Sequence, residues 1–86
     1  HMQSMSRFDT TASLQLHALI SDLSWRIQML DGDIAEEECS SGNADPRSPT
    51  YSMLAQALRA RRANLRTSIA VLEAQIERTA AMSRAA

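Results

Sequence analysis

Two rows of large aliphatic residues constrain this chain more than any other feature. In the first, Leu16, Ile20, Leu23, Ile27, Leu30 and Ile34 step by four and three in alternation. That spacing returns to one side of a helix at every step and makes a continuous apolar stripe. In the second half, Tyr51, Leu54, Leu58, Leu65, Ile69, Leu72 and Ile76 form another. The position that would fill its one gap holds Arg61 or Arg62. Stripes of this size are unfavourable in water, so each needs a cover. They can cover each other. If the chain folds antiparallel about residue 44, Ile34 falls level with Leu54 and Leu30 with Leu58. Leu23 meets Leu65, Ile20 meets Ile69, and Leu16 meets Leu72. The numbers in every pair sum to 88 or 89, so one rigid register satisfies all of them. The pattern predicts an all-α protein, a long antiparallel helical hairpin with a coiled-coil-like seam.

The rest of the sequence agrees with this fold. Only two glycines and two prolines occur in 86 residues, and no alternating run suggests a strand. Residues 1–9 are expected to be disordered, and His1-Met2 reads as the remnant of an expression tag, which leaves Met2 or Met5 as the native start. Asp9, Thr10, Thr11 and Ser13 are N-cap types, so helix 1 is predicted from about 11 to 39 with Gly42 as its stop. The segment 40–48 is the only turn-rich stretch. Ser48-Pro49 reads as a cap followed by a first helical residue, which predicts helix 2 over about 49–82. Phe8 would then cap the open end of the hairpin.

Trp25 does not belong to the first stripe. At the helical period it points about 180° from Leu16, where water is expected. Leu14, Ala18, Met29 and Gly32 lie near it. Helix 2 carries a comparable outer set in Met53, Ala60, Ala63, Ala70, Val71, Ala74 and Ala81. Small residues let another helix approach, while Trp and Met supply contact area, and contiguous apolar surface on a small protein marks an interface. Stacking two hairpins through these faces would complete a four-helix bundle.

Charge is distributed rather than concentrated, with a net value of −1. Helix 1 ends in Asp31, Asp33, Glu36, Glu37 and Glu38, and helix 2 begins with Arg59, Arg61, Arg62 and Arg66, beside Arg47 in the turn. Each cluster opposes its own helix dipole, but the hairpin lays the two side by side. Asp31 with Arg62, and Asp33 or Glu37 with Arg61, are the expected register pairs. "RARRANLR" lacks interleaved aromatic residues and has acidic neighbours, so nucleic acid is not the expected partner. "DGDIAEE" lacks the ligand alternation of a calcium loop. Cys39 has no histidine nearby, since His17 is about five turns away, and the sequence carries no phosphate loop, zinc spacing or paired-carboxylate pattern. An enzyme is therefore not expected, nor a cofactor, a metal or a small-molecule substrate.

No run reaches the ~18–20 apolar residues of a membrane span, and no secretory apolar core opens the chain. With one cysteine, a reducing, cytoplasmic setting is the expectation. The turn "NADPRSPTY" followed by "SMLAQAL" resembles the junction in small bacterial hairpin proteins of type III secretion, the co-chaperones and needle subunits. The ending "ERTAAMSRAA" departs from a needle subunit's apolar end. The resemblance implies a small protein that shields a partner's hydrophobic helix. The residues themselves point to an assembly module whose partner is a second copy or another helical protein.

Overall fold

The structure, a computed structural model, describes the backbone of residues 2–85 and the side chains of residues 10–84. Helix α1 spans Met2–Ser41 and helix α2 spans Met53–Ala85. The two pack antiparallel as a hairpin, and no strand occurs among the described residues. The molecule measures 61 × 18 × 13 Å with a radius of gyration of 18.7 Å. A compact chain of this length would have about 12 Å. The fold is therefore a rod two helices wide.

Periodicity decides which side chains are covered. On α1 the covered or half-covered positions include Leu16, Ile20, Leu23, Ile27, Leu30 and Ile34, all as the first stripe requires. On α2 they include Ala55, Leu58, Arg62, Leu65, Ile69, Leu72 and Ile76, with Tyr51 just before the helix. Leu54 is the correction, because it is 56% exposed while Ala55 is fully covered. Counting back by sevens from Ile76 reaches Ile69, Arg62 and Ala55, and from Leu72 reaches Leu65, Leu58 and Tyr51. The strict repeat places Ala55 in the seam and turns Leu54 outward, whatever its hydrophobicity. The gap in the second stripe is filled by Arg62.

Packing weakens away from the turn. The buried side chains are Leu30, Ile34, Tyr51 and Ala55, all in the part of the rod nearest residue 44. The more distant seam residues are half-covered, since a pair of helices leaves the flanks of most seam residues partly open.

The turn end is closely specified. Gly42 has φ 73°, the left-handed value that favours glycine. Its N–H donates to the Glu38 and Cys39 carbonyls at 3.0 and 3.2 Å, and the Asn43 N–H donates to the Glu38 carbonyl at 3.2 Å. This double closure ends α1, as the glycine predicted. Asn43 then organises the loop. Its Nδ2 donates to Ser48 Oγ and Thr50 Oγ1 at 2.9 and 3.0 Å, and its Oδ1 accepts the Asp45 N–H at 3.0 Å. Two proline turns follow, closed by Ser48 N–H to the Asp45 carbonyl at 3.0 Å and Tyr51 N–H to the Ser48 carbonyl at 3.1 Å. Pro46 and Pro49 hold the second position of each, where a fixed φ suits the turn.

The helix boundaries differ from those predicted. Ser48-Pro49 starts a turn, not α2. The cap is Ser52, whose Oγ accepts the Ala55 N–H at 3.1 Å. Both serines are good N-caps, and proline suits a first helical residue and a turn equally, so local chemistry did not separate them. At the other end, α1 begins at Met2, not at about 11. Asp, Ser and Thr cost only a few tenths of a kcal/mol inside a helix, and nothing upstream breaks it. The side chain of Phe8 lies outside the described residues.

The two glycines should respond oppositely to alanine. At neither would a Cβ meet an atom within 4 Å, so backbone terms alone decide the sign. Gly42→Ala should lower stability by about 1 kcal/mol through left-handed strain. Gly32→Ala, inside α1, should raise it by roughly 0.5–1 kcal/mol through helix propensity. Denaturant unfolding followed by circular dichroism measures both, and effects of the same sign would contradict these placements.

Candidate interaction surface

The second stripe's Leu58 and Leu65 are only partly covered by their own seam, and beside them lies the buried Leu30 of the first stripe. On one flank of the hairpin they form the floor of a groove of about 350 Å³. Trp25 and Met29 line it from α1, with Arg26, Asp33 and Arg61 also on its walls. A second hollow continues it toward the turn, sharing Asp33 and Leu58 and adding Glu36, Glu37, Ser40 and Leu54. Together they make one trough. Trp25 is 61% exposed, Met29 53%, and Leu54 is open as well. Leu19 lies seven residues before Arg26, and Met82 lies three heptads after Arg61, so exposed apolar residues recur on the same rows farther along the rod.

The residues predicted as an outer interface are all exposed: Leu14, Ala18, Trp25, Met29, Met53, Ala60, Ala63, Ala70, Val71 and Ala74. The structure brings only Trp25 and Met29 of these into the trough. Leu14 lines a different hollow at the open end, with Leu16, Ile76 and Thr79. Ala18 continues the outward row of Trp25, seven residues away. The α2 residues form a separate surface. In an antiparallel pair the outer face of each helix points away from the other helix, so no single partner helix covers both. Leu54, assigned to the seam by its hydrophobicity, joins the trough instead.

The charge pairs are partly as expected. Arg62 Nη1 donates to Asp31 Oδ1 at 2.7 Å, with the arginine side chain only 17% exposed. Its stem fills a seam position while its head reaches the edge, the arrangement that long cationic side chains permit. Arg61 forms no ion pair with Asp33 or Glu37 among the described residues, and Glu37 is held elsewhere: its Oε2 accepts the Ser52 hydroxyl at 2.6 Å. The neighbouring Tyr51 hydroxyl donates to Glu38 Oε2 at 2.7 Å. These two contacts tie the entry of α2 to the end of α1. Both join residues whose numbers sum to 89, so the register arithmetic already implied them, although hydrophobic matching alone did not raise them.

The arginine run is contiguous in sequence but divided in space. Arg62 turns into the seam and Arg61 lines the trough, while Arg59 and Arg66, one heptad apart, share a different row. Cys39 is exposed near the turn. Among the described residues no group of three or more His, Cys, Asp or Glu is placed to hold a metal ion, and no helix is long and apolar enough to cross a membrane. The chain matches no protein-family model, no curated protein and no solved structure.

Burial raises the Tyr51 pKa above its ordinary value of 10.0. The hydrogen bond to Glu38 and that carboxylate's charge raise it further, partly offset by Arg59 and Arg62. The fold thus favours the neutral phenol. Its stabilising contribution is complete below pH 10.0 and is lost as pH rises through the raised value. Tyr51 is the only tyrosine, so phenolate absorbance titrates it alone. The midpoint should lie above 10.0, and in Glu38→Gln it should fall while staying above the ordinary value, since burial is the larger cause. A wild-type midpoint at the ordinary value would contradict the buried, Glu38-bonded position.

Proposed function

We propose that this chain is a non-enzymatic assembly module, a helical hairpin that self-associates through the Trp25 flank to complete a four-helix bundle. The observation that carries this reading is the open apolar trough, whose floor is the hairpin's own seam. A bundle is the arrangement in which such a half-covered seam becomes a core. Surface area supports it. A 9.5 kDa protein of ordinary compactness exposes about 5,000 Å², whereas this chain exposes 6693 Å². The excess, on the order of 1,600 Å², is larger than the ~800 Å² that each partner gives to a standard interface. Closed twofold dimers are the commonest way to cover such a face. The single free cysteine, Cys39, fits a reducing cytoplasm as the setting.

A trough with an apolar floor and charged walls also suits an amphipathic helix from another protein, the mode an adaptor or co-chaperone would use. The mass in solution separates the two readings. Wild type at tens of micromolar should sediment as a dimer, and Trp25→Glu should shift it to monomer with helicity retained, because Trp25 is exposed in the single chain. A monomeric wild type removes self-association and favours the foreign helix. A dimer unchanged by Trp25→Glu removes the trough as its interface.

A further inference from the structure

Building on the self-association reading, we infer that the second copy lies antiparallel in the trough, related by a twofold axis that crosses it at the level of Leu30 and Leu58. The charges on the trough walls carry this. Asp33 and Glu36 stand toward the turn. Arg26 and Arg61 stand toward the open end. The register that joins Ser52 to Glu37 sets Arg61 level with Gln28. The two arginines are then displaced from Asp33 by roughly 8–10 Å along the rod. Among the described residues Asp33 and Arg61 have no hydrogen-bond or ion-pair partner, and Arg26 engages only Asp22 of its own helix, at 3.1 Å. The trough is thus acidic toward the turn and basic toward the open end, with charge left unpaired at both places.

A twofold axis along the rod would lay α1 over the partner's α2 at equal levels, setting Arg26 of each copy against Arg61 of the other and leaving the acids without an arginine. An axis across the trough reverses the levels. With the axis at Leu30 and Leu58, α1 of each copy lies over α1 of the other, and Asp33 and Glu36 meet the partner's Arg26 level, twice over. The same operation brings the exposed Met29 of each copy within about one turn of Met29 in its partner, so apolar side chains of the trough cover each other. Isologous contacts of this kind follow from twofold symmetry, and complementary charge selects the orientation.

The test is charge exchange, read by sedimentation equilibrium. Asp33→Arg and Arg26→Asp, each alone, should weaken dimerisation by about tenfold or more, since each creates two like-charge contacts. An equimolar mixture of the two variants should regain wild-type association as a heterodimer, because both contacts become opposite-charged. Weakened variants whose mixture is not restored would overturn the antiparallel arrangement. So would two variants that dimerise as tightly as wild type, although self-association itself would stand. A monomeric wild type would instead overturn the underlying reading.

Discussion

Two helices share only one seam, and the rest of this structure depends on that geometric limit. A hairpin covers the stripe between its helices and leaves the flanks of most seam residues partly open. Burial is accordingly thin: Leu30, Ile34, Tyr51 and Ala55 are the buried apolar residues among those described, and no side chain there is fully enclosed apart from the alanine. All four lie toward the turn, where the chain connection holds the helices together. The contacts of Tyr51 with Glu38 and of Ser52 with Glu37 fix the pairing at that end. Because both helices rise equally per residue, a register set at the turn is transmitted along the rod.

Arg62 shows how the same seam discriminates against wrong pairings. A guanidinium in an apolar stripe adds little net stability even when paired, since desolvation offsets much of the attraction. Its effect is larger on the alternatives. A slip by one heptad step would move Arg62 away from Asp31 and leave a half-buried charge without its partner. A hydrophobe in that position would tolerate the slip. The chain thus trades some apolar contact for a unique register, the role that single polar seam residues play in helical assemblies.

Much of this was legible in the residues. The stripes on both helices, the antiparallel pairing, the stop at Gly42 and the Asp31–Arg62 pair all follow from spacing and simple chemistry. Leu54 is the exception: its hydrophobicity points to the seam, but the seven-residue repeat puts Ala55 there. That one displacement also hid part of the trough, since Leu54 belongs to its wall. The start of α2 was ambiguous because Ser48 and Ser52 offer the same cap, and only tertiary hydrogen bonds to α1 separate them. The outer faces were correctly read as exposed. Their division into a trough and a separate α2 surface needed the three-dimensional arrangement, because a helical wheel places residues around one axis and says nothing of which way the second axis lies.

On the proposed reading, the Trp25 flank is an unfinished core, open in one chain and covered in the assembly. Trp25 is the only tryptophan, so its emission reports on that flank alone. On dilution from tens of micromolar, emission should shift from that of a shielded indole to that of a solvated one, with quencher access rising and helical circular dichroism retained. A tryptophan that is solvated and freely quenched at every concentration, in a chain that stays helical, would contradict that reading.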